Sequence, residues 1–180
     1  VETLGILHQP NAGPVLLEVA IVHRHPDVRV AAIRSIQSCR PSGAASVVRA
    51  RLGDPSPNVR AAAAVALGAL RDRDAVDPLF LALDRQLYEA APALANIISG
   101  DEIGRLTGYV GRLPFDVMSP ALTELLARED IPERRKLDLI AQLGQLRLRG
   151  VPGLLDLPQR LGAGVGHFVG APHQLDITGL

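Results

Sequence analysis

The chain has 180 residues, of which 47% are hydrophobic and 3% aromatic, and its 19 basic and 19 acidic side chains give a net charge of zero. A chain of this size and apolar content can bury a core, which excludes a disordered tail. Zero net charge disfavours nucleic acid as a partner. The longest apolar run, Ala61 to Leu70, is too short for membrane insertion, which needs roughly 18 to 20 residues.

The core must be built from small aliphatic side chains, because there is no Trp and there are three Phe. Such side chains suit helices that pack closely. The single cysteine, Cys39, lies at a core-facing helical position, so we expect a buried thiol. The chain begins at Val1, which fits either a piece of a longer protein or an alternative start of translation.

Two stretches open helices in nearly the same way, HPDVRVAAIRSI from His25 and SPNVRAAAAVAL from Ser56. Pro26 and Pro57 fall in the first helical turn, where a missing N–H does no harm, and His25 and Ser56 are candidate N-caps. Apolar or small residues recur at helical spacing in both. The predicted core positions are Val28, Ala31, Ala32, Ser35, Ile36 and Cys39, matched by Val59, Ala62, Ala63, Ala66, Leu67 and Leu70.

A second amphipathic helix is predicted from Gly43 to Leu52, ending at Gly53-Asp54-Pro55. Its apolar positions repeat at the same shift that takes Pro26 to Pro57, so the repeating unit is helix, turn, helix. A single hairpin of this kind cannot cover both of its apolar faces, whereas stacked copies bury each other's flanks. The sequence therefore predicts an all-α fold, an α-solenoid.

Further along the chain, Asp74 to Leu79 and Asp116 to Ala121 both look like the start of a second helix of the unit. The step from Pro78 to Pro120 is longer than one repeat and shorter than two, which predicts an insertion near positions 100–114. We expect an N-terminal segment at 1–12, a solenoid of about four to five helix pairs at 13–160, and a Gly-rich tail at 161–180.

The run DPSPNVRAAAAVALGALRDRDAVDPLFLAL, Asp54 to Leu83, resembles a HEAT repeat of the short kind found in phycobilisome-lyase-type HEAT-like proteins. This resemblance implies a right-handed superhelix of antiparallel helix pairs, HEAT/ARM-like, whose second helices line a concave binding face. Arg29 and Arg60 match the family's arginine after valine, which implies polar contacts between repeats, with Asp54 or Asp27 as partners.

Motifs for chemistry are mostly absent from the sequence, so no catalytic, cofactor-binding or metal-ligating residue is predicted. His23 and His25 lack further ligands at suitable spacing, and turn roles are favoured for both. The glycines from 162 to 166 lack the strand and helix of a dinucleotide loop.

Positions that are equivalent under the shift from Pro26 to Pro57 predict a partner-binding ridge along the second helices. Glu18, Arg49 and Phe80 form one set, and Val15, Ser46 and Asp77 form another. Their chemistry varies while the core positions stay apolar. We expect Phe80 to be an aromatic anchor in the groove.

The leading hypothesis is a non-enzymatic scaffold, or the regulatory domain of a longer protein, that binds another protein through the concave face in the cytoplasm. One alternative is a chromophore (bilin) lyase or lyase subunit, which rests on the family resemblance alone. Another is binding of the DNA backbone, as in HEAT-like glycosylases, through Arg49, Arg51, Arg71, Arg73 and Arg85.

Overall fold

The computed structural model describes residues 12–100 and 102–148. These residues form nine α-helices and two short 3-10 turns, Arg51–Gly53 and Arg73–Ala75. The helices are α1 (Ala12–Val22), α2 (Pro26–Cys39), α3 (Ala44–Ala50), α4 (Pro57–Leu70), α5 (Val76–Asp84), α6 (Ala90–Ile97), α7 (Ile103–Thr107), α8 (Phe115–Ala127) and α9 (Glu133–Leu148).

The two equivalent helices α2 and α4 begin and end in the same way. Each has a proline in its first turn, and each is followed by an arginine in the left-handed region, Arg40 at φ 46° and Arg71 at φ 55°. The backbone N–H of each arginine donates to a carbonyl of the last helical turn, which is the usual way to stop a helix. His25 and Ser56 occupy the predicted N-cap positions, but neither makes a side-chain capping bond.

The helices lie in two layers. In the first layer α2 packs on α4, α4 on α6 and α6 on α8. The second layer runs from α1 and α3 through α5 towards α7 and α9, and Thr107 of α7 lies within hydrogen-bond distance of Gln142 of α9. This order of paired, stacked helices confirms the all-α solenoid.

In α2 and α4 the core follows part of the predicted stripe, while Val28 and Ala31 of α2 and Ala62 and Leu70 of α4 are only half-buried. Ala32, Ser35 and Ile36 are buried in α2, and their shifted partners Ala63, Ala66 and Leu67 are buried in α4. Cys39 differs from the prediction, because it is half-buried and its Sγ lies 3.0 Å from the carbonyl oxygen of Ser35. Its position at the end of α2 leaves one side of the thiol open.

The pairing of helices changes from the prediction after α5. Residues 103–107 form α7 in the place of a second helix, and α8 packs on α6 in the first layer. The expectation that Asp116 opens a second helix is therefore wrong, because α8 covers the next apolar flank of the first layer instead. Residues 1–11 of the predicted N-terminal segment 1–12, the solenoid residues 149–160 and the predicted tail 161–180 lie outside the described residues.

Candidate interaction surface

Arginine side chains join each unit of the stack to its neighbour. The arginines with polar contacts to a residue of a neighbouring unit are Arg29, Arg40, Arg49, Arg51, Arg73, Arg105 and Arg128. Several of these guanidinium groups donate to carbonyl oxygens in the last turn of a helix, and such carbonyls have no partner within their own helix. The positive charge also lies at the negative end of the helix dipole.

Arg51, Arg40 and Arg128 show this arrangement most clearly. Arg51 donates to the carbonyl oxygen of Ile21 near the end of α1, at 3.2 Å, and Arg40 donates to that of Ala69 in α4, at 2.9 Å. Arg128 donates to the carbonyl oxygens of Ala95 and Ile98 at the end of α6. These contacts fix the spacing between units, so we assign the three side chains to the framework.

The contact between Arg29 and Asp54 is the most buried of the ion pairs in the described part of the chain. Nε and Nη2 of Arg29 donate to the two carboxylate oxygens of Asp54, at 3.0 and 2.7 Å, and Nη1 donates to the carbonyl oxygens of His23 and Arg24. Burial tends to raise the pKa of Asp54, but the hydrogen bonds from Arg29 and from the Ser56 N–H outweigh it, so its pKa is lowered.

Arg60 is the equivalent of Arg29 in the next unit and repeats half of this contact. Its Nη1 donates to the carbonyl oxygens of Asp54 and Pro55, at 2.8 and 2.9 Å, as Arg29 does with the preceding loop. The residue equivalent to Asp54, however, is Arg85. No carboxylate among the described residues accepts from Nε or Nη2 of Arg60.

A groove of about 690 Å³ lies beside Arg60, between the start of α4 and the end of α5. It is lined by Arg60 and Arg85, by Leu81 with 52% of its surface exposed, and by Tyr88 with 37% exposed. The Arg85 guanidinium makes no hydrogen bond or ion pair with any other residue between 12 and 148 that the structure describes. Exposed apolar side chains beside polar groups free to bind are the features of a recognition site.

The sequence prediction missed this groove, although its signal is readable. The shift that takes Arg29 to Arg60 takes Asp54 to Arg85, so the acidic partner of one unit becomes basic in the next.

Phe80, the aromatic residue that the sequence predicted as a binding anchor, does not line this groove. Phe80 is fully buried, with its ring 6.1 Å from that of Tyr109 and the guanidinium of Arg105 at 3.8 Å above it. The prediction of an exposed anchor at Phe80 is wrong, because α7 and the following turn cover it.

The other residues of the predicted ridge do not converge on one site. Glu18 and Ser46 are exposed, and the Ser46 hydroxyl donates to the carbonyl oxygen of Gly43 in its own turn. Arg49 is held by two oxygens of Asp72 at 2.9 Å and by Asp74 at 3.2 Å. Asp77 accepts from Arg105 at 2.6 Å, directly beside Phe80.

Three of the five arginines considered for DNA binding are engaged within the protein, namely Arg49, Arg51 and Arg73. Across the part of the chain with described structure, no three His, Cys, Asp or Glu side chains cluster as metal ligands would. His23 has the expected turn role, since its Nδ1 accepts from the His25 backbone N–H at 3.2 Å. No described helix combines the length and the apolar character that crossing a membrane requires.

Residues 13–95 match the family model for HEAT repeats. This segment of the chain is a HEAT-repeat array. It contains α2 to α5 and most of α1 and α6, together with the bridge between Arg29 and Asp54 and the groove. No curated protein and no solved structure gives a significant match to the chain. The contact of Arg29 with Asp54 joins neighbouring HEAT units, as the resemblance implied for this arginine.

Proposed function

We propose that the chain is a non-enzymatic scaffold that binds another protein, in the cytoplasm, through the groove between α4 and α5. HEAT repeats generally mediate interactions between proteins, and the groove lies within the matched segment. The observation that carries the proposal is the pair of exposed apolar side chains, Leu81 and Tyr88, beside the guanidinium groups of Arg60 and Arg85.

The arginines of the chain have different roles, and this difference supports a protein partner over a nucleic acid. Arginines that grip a phosphate backbone must present free guanidinium groups along a continuous track. Here Arg49, Arg51 and Arg73 contact neighbouring units, while the groove combines arginine with Leu81 and Tyr88. Leucine and tyrosine in a concave site suit the side chains of a folded or extended polypeptide.

Site-specific photocrosslinking tests this function. A photoreactive amino acid at position 81 should capture a defined partner from extract of the native organism, and the same group at Thr123, exposed on α8, should not. Purified partner should then bind the unmodified chain and lose affinity by about tenfold or more for Leu81→Asp, because a charge replaces a central apolar contact.

A matched control distinguishes the loss of a binding contact from a loss of folding. Leu137 on α9 is 57% exposed, close to the 52% of Leu81, so Leu137→Asp places the same charge on a similar site elsewhere. Both variants should keep the melting temperature of the parent. Equal partner binding by the two variants would overturn the assignment of the groove.

A further inference from the structure

We infer that the groove binds a partner segment carrying a carboxylate, which takes the place that the Asp54 carboxylate holds one unit earlier. The inference rests on the proposed function, since it names the chemistry of the partner at that same site. It depends on the comparison of two arginines that occupy equivalent positions in successive repeats, Arg29 and Arg60.

Arg29 shows how this position binds a carboxylate within the chain. Its Nη1 is held by two backbone carbonyl oxygens of the preceding loop, which orients the guanidinium group. Its remaining edge, Nε and Nη2, then meets both oxygens of Asp54 in a paired geometry. Two parallel charge-assisted hydrogen bonds of this kind are strong and directional.

Arg60 is oriented by the two equivalent backbone contacts of its own unit, and its Nε–Nη2 edge has no acceptor among the described residues. The side chain is therefore already ordered for a carboxylate, so binding one requires little further loss of conformational freedom. Arg85, which replaces the internal carboxylate, adds a second positive charge to the same groove. A partner aspartate or glutamate would complete the contact that the chain itself makes one unit earlier.

The other charges around the groove leave this preference in place. Asp54 also lines the groove, but its carboxylate is bound by Arg29. Glu89 is exposed on the rim and opposes an anionic partner. Leu81 and Tyr88 provide an apolar surface next to the arginines, so the segment that fits best carries an acidic residue close to an aliphatic or aromatic one.

Displayed peptide libraries test the inference with defined probes. Short peptides are randomised among apolar and uncharged residues, with one central position fixed as Asp, Glu, Asn or Gln. The full chain should retain the Asp and Glu libraries about tenfold or more above the Asn and Gln libraries, because the amides lack the charge that the arginine fork recognises. Arg85→Glu and Arg60→Gln should abolish this preference, and Glu89→Gln should enlarge it.

Arg134→Glu is the matched control, since Arg134 is an exposed arginine on α9 outside the groove, and it should leave the preference unchanged. Equal retention of acidic and amide libraries, or retention of none, would overturn the inference. The proposed function would still stand if the crosslinked partner depended on Leu81. A mass in solution that rises with concentration and falls to the monomer value in Arg85→Glu would identify a second copy as the occupant and also overturn it.

Discussion

Asp54 is a charged side chain in the interior of the stack, with 5% of its surface exposed. Its carboxylate accepts from Arg29 and from the backbone of Ser56, so it joins α2 to the loop that begins the next unit. Removing one partner of such a buried pair leaves the other without compensation, and the loss is larger than the net worth of the pair. The residue is therefore part of the framework.

Asp54→Asn should lower the free energy of unfolding at pH 7 by about 1–3 kcal/mol, because Arg29 loses its charged acceptor. The folded-state pKa of Asp54 is lowered, so its contribution is fully present above the unfolded pKa of about 3.9. It is lost as the pH falls through the folded pKa. Urea denaturation at pH 7, 5 and 3 should thus show a gap between parent and variant that narrows at the lowest pH.

Glu18→Gln is the control for this comparison, since Glu18 is exposed on α1 and no contact depends on its charge in the described structure. It should change stability little at any of the three pH values. A gap for Asp54→Asn of the same size at pH 3 and pH 7 would contradict the role assigned to the ionised carboxylate.

Phe80 belongs to the core of the second layer, packed against Tyr109 and covered by Arg105. Phe80→Ala should lower the free energy of unfolding by about 3–5 kcal/mol, as expected for an aromatic ring removed from a closed core. Tyr88→Ala, at an exposed aromatic, should lower it by less than about 1 kcal/mol. The same denaturation experiment measures both, and similar losses for the two would contradict the burial of Phe80.

Helices α4 and α6 lie close together at Gly68. A Cβ atom added there would lie 2.8 Å from the Cα of Ala93, which is backbone and cannot move aside easily. Gly68→Ala should therefore lower stability by about 1–3 kcal/mol through overpacking, in spite of a gain in helix propensity of about 1 kcal/mol.

Gly144 in α9 provides the opposite case, because an added Cβ meets nothing within 4 Å. Gly144→Ala should raise stability by about 0.5–1 kcal/mol through helix propensity alone. Thermal unfolding followed by circular dichroism measures both variants. A stabilising Gly68→Ala would show that the two helices are further apart than the structure places them.

The elements that the sequence predicts well are those whose core stripe repeats. Ile36 and Leu67 occupy equivalent buried positions, and this periodicity is enough to place α2 and α4. The predictions for Phe80 and for the pairing of helices after residue 100 are wrong for the same reason. Helix α7 is a single short turn, and its glycines make it hard to predict from the sequence. Without α7 in view, the shift from Glu18 and Arg49 predicts that position 80 is exposed, whereas α7 and Tyr109 bury it.

The groove cannot be predicted from the repeating core stripe. The family resemblance implied the contact of Arg29 with Asp54, but the contact of Arg51 with a helix-terminal carbonyl could not be predicted, since it requires the packed structure. The exchange of Asp54 for Arg85 can be found once the repeat is aligned. What the alignment cannot show is that Arg60 keeps its backbone contacts and so presents a free edge.

Across the whole molecule, stability should vary along the stack, because each unit of a solenoid gains its core from its neighbours. Helix α4 is covered by α2 on one side and α6 on the other, whereas α1 exposes Val15, Ile21 and Val22. Amide hydrogens of α4 should therefore exchange with solvent most slowly, and those of α1 should exchange through local opening at a lower free energy.

The variant Leu67→Ala in α4 tests whether neighbouring units of the stack are coupled in stability. Leu67 is fully buried, so its truncation should lower the free energy of unfolding by about 2–5 kcal/mol. Amide exchange measured by mass spectrometry should speed up in α4 and in its neighbours α2 and α6, and much less in α1, which already opens without disturbing α4. Equal acceleration in all helices, with equal protection of α1 and α4 in the parent, would mean that the described residues unfold as one cooperative unit and not as a stack.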